Sequence, residues 1–182
     1  MQLKNIAVKN FRLLHDAGLL LEKQTTVIVG RNNSGKTSLT EVIKRLLGDS
    51  NPSFRLEDFS FATHQNFWNA FVAAAQGADE PDVRKTLPII EIQLTFGYEV
   101  GEALGTLNEI VIDLDPACTE ALVVARYALR DGKVGELFAD LNAPDEEATP
   151  DQIELAKATL FKALPMLTSS LIYLPFLNFG RS

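Results

Sequence analysis

Residues 27–43 read VIVGRNNSGKTSLTEVI, and their spacing suits the grip of a phosphate chain. Gly30, Gly35, Lys36 and Thr37 fit the pattern G-x-x-x-x-G-K-[ST]. Each residue type answers a chemical need. Glycine permits backbone angles barred to other residues, so successive N–H groups can turn toward phosphate oxygens. A lysine brings a compact positive charge to the β- and γ-phosphates, and a threonine hydroxyl can coordinate Mg²⁺. A helix starting at this point would aim its positive end at the same anion. The candidate set is therefore Gly30, Asn32, Asn33, Ser34, Gly35, Lys36, Thr37 and Ser38, with ATP and Mg²⁺ as the expected ligands and Thr37 as the metal ligand.

The elements around this loop have the right periodicities. Gln24 to Val29, QTTVIV, is β-branched and apolar and predicts a buried strand leading into Gly30. Leu39, Val42, Ile43, Leu46 and Leu47 recur at helical spacing, predicting a helix over 37–47 that stops near Gly48. Upstream, LKNIAVKNF predicts a first strand with Leu3, Ile6, Val8 and Phe11 facing inward, and GLLLE a second after a turn at HDAG. Downstream, a helix is expected over 66–75. Strands follow at 89–96, 109–114 and 121–129, with a turn at Asp131-Gly132. A helix over 151–164 has Thr149 as its expected N-cap and Pro150 in its first turn. SSLIYLPFL predicts a buried strand cut short by Pro175. The expected organisation is a P-loop core at 1–87, an antiparallel β subdomain at 88–139, and a helix with a returning strand at 140–182.

Hydrolysis would need an acidic partner for the loop. EIVIDLD places Asp113 after an apolar run, as a Walker B aspartate would be, but Leu114 stands where a water-polarising Glu is needed. The stretch also lies within the expected antiparallel strands, so a strand end entering the DPAC turn is the preferred reading. Asp113-Leu114-Asp115 spells the D-x-D of a Toprim metal site, yet the earlier Glu91 alternates onto the exposed face of its strand. His15 and His64 read as surface or packing residues, and Cys118 as a structural thiol. Phe67, Trp68 and Phe71 at helical spacing read as core.

The 182 residues suffice for one ordinary domain. Lys plus Arg number 17 against 24 Asp plus Glu, a formal charge of −7, which argues against a free-standing DNA grip. A single cysteine excludes an internal disulfide and fits a reducing, cytoplasmic setting. The N-terminus lacks the apolar core of a signal peptide, and the apolar runs fall short of a membrane span.

The absence of N-K-x-D disfavours a small GTPase. IAVKNFRLL, GRNNSGKTSL, LEDF, LPIIEIQLTF and LIYLP, in that order, resemble the N-terminal part of ABC-type ATPase heads of the SMC, RecF and RecN kind. The resemblance is nearest to overcoming-lysogenization-defect (OLD) family and Gabija-like nucleases. It implies an α/β P-loop NTPase fold with an antiparallel β-meander, a chain that is one lobe of a longer head, and a parent protein that uses ATP to dimerise or gate its heads in a homodimer or larger assembly. It further implies DNA processing or phage defence, with DNA engaged by the parent protein. From it, Arg12 gains a place near the nucleotide, and Asn32 faces the γ-phosphate and a partner subunit. No L-S-G-G-Q-like signature is present. Two rivals remain open: a self-contained P-loop ATPase or kinase using Asp113, and a non-enzymatic nucleotide-dependent assembly module.

Overall fold

A computed structural model describes residues 1–48, 52–99, 119–139, 141–145 and 147–164, and the backbone of 170–174. Asp113, Asp115, Cys118 and the strand expected at 109–114 lie outside the described residues. The architecture is mixed α/β, with helices packed on one antiparallel sheet.

Strands β1 (Gln2–Phe11), β2 (Leu14–Leu20), β3 (Ile90–Gly97), β4 (Glu120–Ala128) and β5 (Ser170–Leu174) form that sheet in the order β2-β1-β3-β4-β5. Every pairing is antiparallel. The sheet thus draws strands from the beginning, middle and end of the chain. The inward set of β1 departs twice from strict alternation, and the backbone absorbs both departures. A register shift between Leu3 and Asn5 restores the phase for Ile6 and Val8, paired with Leu94 and Ile92. Asn10, at φ 61, lets Phe11 turn inward again. The turn into β2 falls at Arg12 and Leu13, earlier than expected from HDAG, which lies within β2.

Helices α1 (Lys36–Gly48), α2 (His64–Ala75), α3 (Glu80–Thr86), α4 (Val134–Leu137) and α5 (Pro150–Ala163), with 3-10 turns at Leu56–Asp58 and Phe61–Thr63, complete the described elements. Thr149 caps α5 in a reciprocal pair: its hydroxyl accepts from the Gln152 N–H, and Gln152 Oε1 accepts from the Thr149 N–H. Gly132, at φ 75, makes the turn before α4.

The core lies between the sheet and the helices. Ile6, Val8, Ile90, Ile92 and Tyr127 from the sheet meet Val42 and Leu46 of α1 and Phe67 and Phe71 of α2. A chain of edge-on aromatic contacts runs through it, from Phe11 to Phe54 at 5.7 Å and from Phe54 to Tyr127 at 4.5 Å. Phe59 meets Phe67 at 5.1 Å. Such pairs add about 0.5–1.5 kcal/mol each beyond the area they bury. Helix α1 rests on β1, β3 and β4 through its buried Val42 and Leu46, and this contact with the core positions the element that begins with Lys36.

One expected element is absent. Residues 24–29 form no ladder with any described strand, and Val27, Ile28 and Val29 are 75%, 45% and 84% exposed. Their β-branched pattern encodes burial. A strand also needs a neighbour for its N–H and C=O groups, and none stands there among the described residues.

Candidate functional site

The loop after Val29 is shaped by two left-handed residues. Asn33 has φ 62 and Gly35 φ 86, and the Ser34 N–H donates to Arg31 O at 3.3 Å. Asparagine is among the few side chains that tolerate this region, and glycine does so freely. At Gly35 a side chain would also meet a neighbour, since a Cβ there would lie 2.8 Å from Leu14 Cδ2. At Gly30 it would lie 2.8 Å from Ser34 Oγ. The pattern's two glycines are thus positions of close approach.

Helix α1 begins at Lys36, directly after the loop. Its first-turn N–H groups have no intrahelical acceptor, and Lys36, Thr37 and Ser38 line the loop's concavity with the helix dipole behind them. The Lys36 side chain folds back across the loop: Nζ donates to Gly30 O at 2.6 Å, Arg31 O at 2.7 Å and Ser34 Oγ at 3.1 Å. An open cavity of about 350 Å³ results, lined by Leu13, Asn32, Asn33, Ser34, Gly35, Lys36, Thr37 and Ser38. Helix-start N–H groups, hydroxyls and an ammonium that now rests on the loop's own oxygens form a donor set suited to an anion such as a phosphate chain. Seven of the sequence-predicted residues therefore share one concavity. The eighth, Gly30, anchors the lysine from its rim.

Leu13 was not anticipated as part of this lining. It sits in the β1–β2 turn, 62% exposed, beside the buried Leu14. A hint existed in FRLL, where two leucines follow a strand end, but only the fold brings that turn beneath the loop.

Arg12 is placed differently. Its guanidinium is bound to Asp58, with Nε 2.9 Å and Nη2 2.7 Å from Oδ1, and it lies over the Phe11 ring. Arg45 of α1 holds the other carboxylate oxygen at 2.8 Å. Burial pushes the Asp58 carboxyl upward, but the Arg55 N–H, Arg12 and Arg45 outweigh it and bring it below the usual range.

Glu91 corrects a sequence expectation. It does alternate onto the face away from α1, yet it is 4% exposed rather than solvated. The reason is its cross-strand neighbours. Arg126 Nε donates to its Oε2 at 2.5 Å, Gln93 donates to Oε1 at 2.6 Å, and Lys9 approaches to 3.8 Å. Burial raises the Glu91 carboxyl, but the Arg126 hydrogen bond, Gln93 and the two positive charges lower it further than burial lifts it. With its oxygens so engaged, Glu91 is a structural anion. Among the described residues no group of three or more His, Cys, Asp or Glu could hold a metal. His64 packs between the rings of Phe61 and Phe161, and Phe67, Trp68 and Phe71 are buried, as their spacing implied.

No described helix is long and apolar enough to cross a membrane. Two curated relatives match part of this chain. An OLD nuclease of Thermus scotoductus is 46% identical over 67 residues, covering 37% of this chain and 12% of the nuclease. A DNA replication and repair protein RecF of Chlorobium luteolum is 48% identical over 54 residues, covering 26% of this chain and 15% of that protein. The matched stretches thus span less than a sixth of either relative. A solved chain from work on ATP-driven dimerization and DNA-stimulated activation of SMC ATPases overlays 91% of this chain and all of its own length. Its TM-score is 0.37 at 13% identity, too low to bear on the fold. The profile of the family described as AAA ATPase domain matches residues 1–167, so the loop, the sheet and the helices described above belong to a member of that ATPase family.

Proposed function

We propose that this chain binds Mg·ATP at residues 30–38 as one lobe of an ATPase head that serves DNA processing or phage defence. The observation that carries the reading is the loop itself. Left-handed Asn33 and Gly35 turn the backbone inward, and Lys36 stands over it at the head of α1. In this reading the loop N–H groups and Lys36 hold the β- and γ-phosphates, and Thr37 takes a coordination position on Mg²⁺, which supplies charge neutralisation for phosphoryl transfer. Asn32 lies toward the γ-phosphate and a partner subunit. Arg12 contributes through the β1–β2 turn. The partial similarity to an OLD nuclease and to a DNA replication and repair protein RecF supports the DNA-processing setting.

Residues 1–87, 88–139 and 140–182 serve as P-loop core, β subdomain and closing segment of one lobe. Turnover by this chain alone is slow or absent, because Asp113 has no adjacent Glu. The test is calorimetric titration with Mg·ATP beside the Lys36→Ala variant, together with phosphate release. Weak but measurable binding that falls about tenfold or more in Lys36→Ala supports the reading. Equal binding by both proteins overturns it, and turnover abolished by Asp113→Asn would favour a self-contained ATPase.

A second reading, nucleotide-dependent assembly without turnover, is favoured by the exposed apolar stretch Val27–Val29. A change of molar mass on adding Mg·ATP, measured by light scattering, distinguishes it from binding by a monomer.

A further inference from the structure

Asp58 ends the 3-10 turn Leu56–Asp58 and is 5% exposed. All its acceptor capacity is used. Oδ1 accepts from Arg12, and Oδ2 accepts from Arg45 Nη1 and, at 3.1 Å, from the Arg55 N–H. Its backbone carbonyl accepts the Arg12 N–H at 2.9 Å. Arg12 itself has φ 49, an uncommon conformation for a residue with a side chain. Asp58 thus holds both the backbone and the guanidinium of the β1–β2 turn. The two guanidinium groups are further oriented by rings, Arg12 over Phe11 at 5.0 Å and Arg45 over Phe54 at 5.4 Å.

The two arginines belong to the two walls of the cradle. Arg12 precedes Leu13, which lines the cavity, and Leu14, which packs against Gly35. Arg45 lies on the helix that begins with Lys36 and Thr37. One buried carboxylate therefore ties the turn under the loop to the helix behind it, without touching the cavity.

We propose that Asp58 is a positioning residue for the phosphate cradle: it sets the β1–β2 turn against α1 and so places Gly35 and Lys36 for a nucleoside triphosphate. The inference rests on the reading of residues 30–38 as a nucleotide site. Its action runs through the loop, so its effect is coupled to Lys36. A residue that merely supported folding would act independently of Lys36.

The experiment is a double-mutant cycle on the full chain with Asp58→Asn and Lys36→Ala. Mg·ATP affinity is measured by titration at a temperature where circular dichroism shows each variant folded. Asp58→Asn is expected to weaken binding about tenfold in the natural background and less than about twofold beside Lys36→Ala. Unchanged affinity in folded Asp58→Asn, or equal losses in both backgrounds, overturns the assignment while leaving the nucleotide site intact. No binding by the unaltered chain overturns the site reading and this inference with it. Should Asp58→Asn fail to fold, Arg45→Gln takes its place in the cycle. It removes the helix arm, together with Arg45's bond to Glu41 and its place over Phe54, leaves Arg12 on Asp58, and carries the same expected and overturning results.

Discussion

Gly35→Ala tests whether the loop geometry is enforced by its neighbours. The new Cβ would stand 2.8 Å from Leu14 Cδ2, 3.7 Å from Leu14 Cγ and 3.9 Å from Leu13 Cβ. Carbon atoms rest at about 3.5–4.0 Å, so the Leu14 methyl must retreat by about 1 Å. Leu14 is 8% exposed, and its retreat presses on the buried cluster. The φ of +86 adds a separate cost, about 1–2 kcal/mol for an L-residue held in the left-handed region. Overpacking adds about 1–2 kcal/mol, at the low end because a side-chain terminus yields more easily than backbone. The expected loss is about 2–4 kcal/mol by urea unfolding. Leu14→Ala deletes the clashing methyl and is itself costly. In that background Gly35→Ala should cost only the backbone part. The double-mutant cycle should therefore show about 1–2 kcal/mol of coupling. Additivity within about 0.5 kcal/mol would refute the argument that Leu14 buttresses the loop.

Three further outcomes follow from the packing. Asp58 and Glu91 both have carboxyls held below their ordinary values of 3.8 and 4.5. Above those values both folded and unfolded chains are ionised and the stabilisation is complete. As pH falls below them the unfolded chain takes up protons first, so stability is lost until the folded-state values are passed. Unfolding followed from pH 7 to pH 3 should steepen near pH 4.5, and Glu91→Gln should flatten that slope. Tyr127→Phe removes the phenol oxygen that accepts the buried Phe54 N–H at 3.2 Å. An orphaned N–H costs about 1–3 kcal/mol, so the thermal midpoint should fall, whereas an unchanged midpoint would mean that water or another group takes over the bond. Thr149→Ala breaks the reciprocal cap on α5 and should cost about 1 kcal/mol, read as faster amide exchange at the start of 150–163.

What could be read from the chain and what could not follows the range of the interactions involved. The cradle was legible because it is local. Residues 30–38 shape themselves through Asn33, Gly35 and a lysine that reaches back only six residues to Gly30. Helices α1, α2 and α5 were legible for the same reason, with ends set by Thr149 and by apolar spacing. Glu91 shows where locality stops. Alternation assigned its face correctly, but its burial depends on Arg126, Lys9 and Gln93 meeting across three strands. The Arg12–Asp58–Arg45 cluster spans 46 residues of chain, and no spacing rule links its members. Residues 24–29 carry the hardest lesson. A β-branched apolar run states that its side chains suit burial, while the hydrogen bonds of a strand depend on a neighbour that such a run does not name. Val27 and Val29 therefore match the pattern of a core strand yet stand largely in solvent, and the self-shaped loop that follows them is seated against Leu14 of β2 at Gly35.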